Sequence, residues 1–141
     1  MCDILLVDDN IFSRQSLRTI LEKHFPHIMF HEAMSGRECL EIMADIPPDI
    51  LFIDVHLNGE DGIGLIRQIR MKHPAMIIIV FIDWDFDTYH EAAKLAGVNN
   101  IIPKKLWTAR EIVALTETIL VMHNFMHPLY ARSHISDCAR R

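Results

Sequence analysis

Cysteine is scarce and unpaired in this chain. Cys2, Cys39 and Cys138 are odd in number, widely spaced and free of any Cys-x-x-Cys motif, so neither a disulfide framework nor a zinc site is indicated. That usage fits a reducing cytosol. Basic charge is also in short supply: 14 Lys plus Arg face 19 Asp plus Glu, and the net charge of -5 argues against a duplex nucleic-acid or anionic-membrane surface. No apolar run is long enough to span a bilayer, since the longest uninterrupted one, Ala75 to Ile82, is far too short. The start, Met1-Cys2-Asp3-Ile4, lacks the basic flank and apolar core of a signal peptide. A soluble, cytoplasmic protein is expected, with no membrane contact and no direct nucleic-acid binding by this chain. Also missing are a Gly-rich phosphate loop and a Gly-x-Ser-x-Gly elbow, which leaves nucleotide hydrolysis and serine-hydrolase chemistry without support.

What the chain does have is alternation. Half of its 141 residues are apolar, enough for one domain with its own core. Apolar runs alternate five times with segments of helical period, the pattern of a parallel sheet covered by helices on both faces. Strands are expected at Ile4 to Val7, Ile28 to His31, Ile50 to Ile53, Met76 to Ile82 and Asn99 to Ile102. Between them, helices are expected at Phe12 to His24, Gly36 to Ala44, Gly62 to His73, Asp87 to Ala96 and Thr108 to Met122. In the first helix Leu17, Ile20, Leu21 and Phe25 share one side, while Arg14, Arg18 and Glu22 run down another at i, i+4. Pro26, Pro47, Pro48 and Pro74 fall in connections, where a missing amide donor does least harm. Residues 1–122 form the folded domain on this reading, and 123–141 form a tail or the start of a linker. If the last helix extends, Phe125 and Met126 could cover a self-association surface.

Ligands of an open parallel sheet bind beyond the carboxyl ends of its strands, where the strand order reverses. Two apolar strands end in acids there: Ile4-Leu5-Leu6-Val7 runs into Asp8-Asp9, and Ile50-Leu51-Phe52-Ile53 runs into Asp54. Three carboxylates in one crevice repel one another unless a cation sits among them, and an all-oxygen site with room for waters suits magnesium or manganese. One carboxylate could then attack phosphorus to give an aspartyl phosphate. Taken alone, Asp8-Asp9-Asn10 reads equally well as a helix cap. Lys104, after Ile101-Ile102-Pro103, could reach the same crevice and pair with a phosphoryl oxygen, although a lysine after a strand is usually only a surface residue.

Together, Ile4-Leu5-Leu6-Val7-Asp8-Asp9-Asn10, Asp54-Val55-His56-Leu57-Asn58-Gly59-Glu60-Asp61-Gly62 and Ala96-Gly97 followed by Lys104 resemble the response-regulator receiver family over roughly residues 3 to 121. The resemblance implies a flavodoxin-like (βα)5 three-layer α/β sandwich with sheet order 2-1-3-4-5. It makes Asp54 the phosphoacceptor, Asp8 and Asp9 the metal-binding pair, and His56 the residue whose backbone carbonyl completes the metal site. Lys104 becomes the phosphoryl-pairing lysine. It also implies a histidine kinase or phosphotransfer protein as donor and a downstream protein or output domain as partner, with homodimerisation as a further option. Lys104-Lys105-Leu106 followed by Thr108-Ala109-Arg110-Glu111 is similar to receivers that precede helix-turn-helix output domains. A stand-alone regulator and a receiver cut from a longer protein both fit.

The sequence departs from the family at several points. The switch Ser or Thr is Ile82, the switch aromatic is Ile101, and Asp83 replaces a small residue at the site mouth. Isoleucine cannot donate a hydrogen bond, so a phosphorylation-independent interaction module is the alternative reading. Asn58 and Lys105 stand where the family usually has prolines. A phosphatase acting on outside substrates would need an acid where His56 stands, or a cap domain. Asp83-Trp84-Asp85-Phe86-Asp87 is no calcium hand, because Thr88 and Lys94 occupy the positions of its Gly and Glu. Asp87 is better read as a helix cap, Trp84 and Phe86 as packing or an interaction surface, and His123 and His127 as incidental.

Overall fold

The computed structural model describes residues 2–83 and 87–126, with the side chain of Asp87 excepted. The elements are β1 (Asp3–Val7), α1 (Ile11–His24), β2 (Met29–Ala33), α2 (Gly36–Asp45), β3 (Ile50–Asp54), α3 (Gly62–Lys72), β4 (Ile77–Ile82), α4 (Asp87–Ala96), β5 (Asn100–Pro103) and α5 (Ala109–Met122). The five strands form one sheet in the order β2-β1-β3-β4-β5, every pair parallel. This is the expected flavodoxin-like sandwich, with the order reversing between β1 and β3.

The two faces of the sheet follow from the period-two pleat. Leu5, Val7, Leu51, Ile53, Ile78 and Val80 point to the side covered by α2, α3 and α4. Ile4, Leu6, Ile50, Phe52, Ile77 and Ile79 point to the side covered by α1 and α5. Every residue of β3 and β4 is buried, which is why their sequences read as unbroken apolar runs rather than alternating ones. Truncating Leu51 or Ile78 to alanine, both fully buried, would cost about 2–5 kcal/mol. Side chains close the N-termini of four helices: Asn10 caps α1, Ser35 α2, Asp61 α3 and Thr108 α5.

The second strand lies further along the chain than the sequence suggests, at Met29–Ala33 rather than Ile28 to His31. It is an edge strand, and its register carries Glu32 opposite Leu6 and Ala33 opposite Val7. Arg14 and Arg18 of α1 pair with the Glu32 carboxylate, so a charged residue is accommodated in the strand. The last helix does not extend. His123 caps α5, Asn124 adopts a left-handed φ of 62°, and the amides of Phe125 and Met126 turn back onto the Leu120 carbonyl. Met126 packs against the α1/α5 core. The roles expected of Trp84, Phe86, the Asp87 side chain and His127 lie outside the described residues. Among the described residues no helix is long and apolar enough to cross a membrane.

Candidate functional site

The carboxyl ends of β1 and β3 are neighbours in the sheet, with Val7 opposite Ile53, so the acids that follow them converge. Asp8, Asp9 and Asp54 each offer a carboxylate oxygen within 4.8 Å of the others. Asp54 is fully buried, whereas Asp8 and Asp9 are half-buried at the mouth. Burial is the largest influence on Asp8 and raises its pKa; the Asn10 amide and Lys104 work against this, and the charges of Asp54 and Asp9 add to it. The helix-cap reading of this stretch goes to Asn10 alone, whose Oδ1 accepts from the amides of Phe12 and Ser13. Asp8 accepts from the Asn10 amide at 2.9 Å, and its second carboxylate oxygen has no donor among the described residues.

Lys104 enters from the end of β5. Its amide donates to the Ile82 carbonyl at 3.0 Å, which anchors the strand end, and its ammonium forms a direct ion pair with Asp54 Oδ2. Burial opposes the ammonium, but the hydrogen bond and charge of Asp54, with Asp8 and Asp83, leave its pKa raised. Asp83 is thus close enough to act on the site electrostatically. No cis peptide bond occurs among the described residues, and Lys104 reaches Asp54 although Lys105 follows it.

The loop from Asp54 to Asp61 is fastened at several points. The His56 amide donates to Asp54 Oδ1 at 2.9 Å, and the Asn58 amide donates to Asp9 Oδ2 at 2.9 Å. A proline at position 58 would lack that donor, so the departure at Asn58 adds a bond to one of the three acids. Glu60 accepts from the Gly36 amide at 3.0 and 3.1 Å, placing a carboxylate at the N-terminus of α2, where the helix dipole favours it. Gly59 has a φ of 72°, and Gly62 packs so closely that a Cβ there would meet the Val55 carbonyl oxygen at 2.1 Å.

The two switch positions are apolar and packed. Ile82 is fully buried at the end of β4, and Ile101, half-buried in β5 opposite Val80, packs against the core under α2, α3 and α4. Sequence reasoning missed the roles of Arg14, Glu60 and Tyr89 here. Arg14 donates to the Asp8 carbonyl at 2.6 Å, and the Tyr89 ring meets that of His56 at a centroid distance of 4.8 Å. The His56–Tyr89 contact joins residues distant in sequence, and the Arg14 bond reaches a backbone carbonyl across the β1–α1 turn, so no side-chain pattern announces either. A cleft of about 380 Å³ runs between α1 and the β5–α5 connection, bordered by Asp8, Phe12, Lys104, Lys105 and Trp107.

A family model, the response regulator receiver domain, matches residues 4–117. The protein-glutamate methylesterase/protein-glutamine glutaminase of Alkalilimnicola ehrlichii is 31% identical over 103 residues, covering 72% of this chain and 26% of that protein. The sensory transduction protein LytT of Bacillus subtilis is 34% identical over 79 residues, covering 55% of this chain and 33% of that one. This chain therefore spans about a quarter to a third of the length of these relatives. The crystal structure of the receiver domain of NtrX from Brucella abortus is similar with a TM-score of 0.76 and 25% identity, covering 84% of this chain and 98% of that one.

Proposed function

The chain belongs to the response regulator receiver domain family, and on that premise we propose that Asp54 accepts a phosphoryl group from a histidine kinase or phosphotransfer protein, and that this changes partner binding. The observation that carries the reading is the fully buried Asp54, paired with Lys104 and clustered within 4.8 Å of Asp8 and Asp9. The donor set is all oxygen and two of its carboxylates are partly open to solvent, which suits a hard divalent cation. Asp8, Asp9, Asp54 and the backbone carbonyl of His56 would hold magnesium or manganese, which supplies charge neutralisation between two anions.

Asp54 is the nucleophile. One of its oxygens forms a bond to phosphorus while the P–N bond of the donor phosphohistidine breaks; the electron pair leaves with the imidazole nitrogen, which takes up a proton. Lys104, already at Asp54, re-pairs with a phosphoryl oxygen and holds the new dianionic group. The cleft beside Asp8 gives a donor access from the side of α1. Asp83 adds negative charge near Lys104 and modifies the site mouth. On this reading the chain is a cytoplasmic phosphoacceptor that assists its own phosphorylation and dephosphorylation, acting on a downstream protein or output domain, with a homodimer as one form.

Intact mass after incubation with magnesium and acetyl phosphate tests the reading, comparing wild type with Asp54→Asn. The expected result is a gain of one phosphoryl group that requires magnesium and vanishes in the variant. No gain, with magnesium binding shown separately, would overturn it in favour of a phosphorylation-independent module.

A further inference from the structure

A phosphoryl group on Asp54 must be sensed by something, and neither switch position can do it through a hydrogen bond. Ile82 is a fully buried hydrocarbon, and Ile101 is packed against the core. Besides Lys104, His56 touches the phosphoacceptor. Its amide donates to Asp54 Oδ1 at 2.9 Å, so adding a dianionic group to that carboxylate alters the environment of this donor. The ring of the same residue sits edge-on to Tyr89, with centroids 4.8 Å apart and planes at 75°. That is the arrangement aromatic quadrupoles favour, and a shift of the loop degrades it.

Tyr89 lies in the first turn of α4, at the end nearest the site, and is 37% exposed. The other end of α4 is fixed. Arg70 of α3 donates twice to the Gly97 carbonyl just beyond the helix, at 2.9 and 2.7 Å, and once to Asn99 at 2.8 Å. One end of the helix is therefore clamped to α3, and the other rests on the loop that follows Asp54. Such an element turns a small displacement at one end into a tilt of the whole helix.

We propose that the His56–Tyr89 ring contact is the readout of this receiver: it couples the phosphoacceptor loop to α4 and takes the place of the absent hydroxyl and aromatic pair. Tyr89 acts as a positioning residue, touching neither metal nor phosphoryl group. The inference rests on the proposed phosphorylation of Asp54.

Because proximity alone does not establish coupling, the test must perturb the contact and read the helix. Amide NMR shifts of His90 to Ala96 are followed with and without beryllofluoride and magnesium, in wild type, Tyr89→Phe and Tyr89→Leu, while intact mass after acetyl phosphate is measured in parallel. The expected result is a response of the α4 amides in wild type and Tyr89→Phe, loss of that response in Tyr89→Leu, and equal phosphoryl gain in all three. A wild type that gains no phosphoryl group sinks the function proposed above. Phosphoryl gain with unmoved α4 amides in wild type, or an undiminished response in Tyr89→Leu, sinks the coupling alone.

Discussion

Arg14 grips the backbone of Asp8: its Nη1 donates to the Asp8 carbonyl at 2.6 Å while its Nε is held by Glu32 at 2.8 Å. Glu32 also accepts from Arg18 at 2.6 Å, so a network reaches from the edge strand to one of the three clustered acids. Burial acts to raise the Glu32 pKa, but the two arginines outweigh it and hold the group below its ordinary range. Arg14→Ala is expected to cost about 1–3 kcal/mol of stability and about tenfold in magnesium affinity, the usual loss when a supporting group is removed. Arg14→Lys should recover part of the stability but not the affinity, since a single nitrogen cannot occupy both the Nη1 and Nε positions that serve the carbonyl and the carboxylate. Urea denaturation and calorimetric magnesium titration measure the two effects. Unchanged affinity in Arg14→Ala would mean that Asp8 is positioned without it.

The acidic cluster should destabilise the metal-free protein. Burial, Asp54 and Asp9 all disfavour the charged form of Asp8. Asp8→Asn keeps an acceptor for the Asn10 amide and removes the charge. Its melting temperature in EDTA is expected to rise by about 4 °C, the shift that ~1 kcal/mol makes in a domain of this size. Magnesium at about a hundred times its dissociation constant should stabilise wild type by ~2.7 kcal/mol and leave Asp8→Asn nearly unmoved. Scanning calorimetry decides the matter, and a variant that melts below wild type in EDTA would refute the repulsion argument.

The parts of this fold that could be read in the sequence are those with local causes. β3 and β4 announce themselves because strands buried on both faces must be apolar throughout, and Asp54 stands out because it closes such a run. The end of β2 beyond His31 does not, because Glu32 is charged and is accommodated by partners from another element, the two arginines of α1. Asn58 was legible only as a departure; that its amide would bind Asp9 depends on loop geometry. The His56–Tyr89 contact and the bonds of Arg70 to Gly97 and Asn99 likewise join distant segments with no periodic signal.

Arg70 makes no ion pair among the described residues, yet its guanidinium is almost fully used. It donates to the carbonyls of His73, Pro74, Met76 and Gly97 and to the Asn99 side chain. Burial lowers its pKa, and the carbonyls at the C-terminal ends of α3 and α4 offset that cost with the negative ends of two helix dipoles. Arg70→Ala strands these acceptors and is expected to cost about 3 kcal/mol. Arg70→Lys should regain less than half of this, because three donors on one nitrogen cannot span acceptors on both sides of a planar fork. Equilibrium urea midpoints at constant slope give the comparison. A lysine variant as stable as wild type would defeat the geometric argument.

Glu117 gives the stability a pH dependence of unusual sign. It lies on the buried face of α5 at 1% exposure, neither carboxyl oxygen has a hydrogen-bond partner among the described residues, and burial pushes its pKa up from 4.5 to about 7. Between those two values the folded state holds a proton that the unfolded chain has released, so stability falls as pH rises through the window. Below it both states are protonated and the group contributes nothing. Above it the cost is complete, ~3 kcal/mol at about 1.4 kcal/mol per pKa unit. Glu117→Met removes the charge while filling similar volume. The variant should therefore be more stable than wild type by ~3 kcal/mol at pH 8, with the difference shrinking steadily toward pH 4. Urea denaturation of both proteins across that range isolates the group, because all other titrations are shared. A difference that stays constant with pH would show that Glu117 does not change protonation on folding.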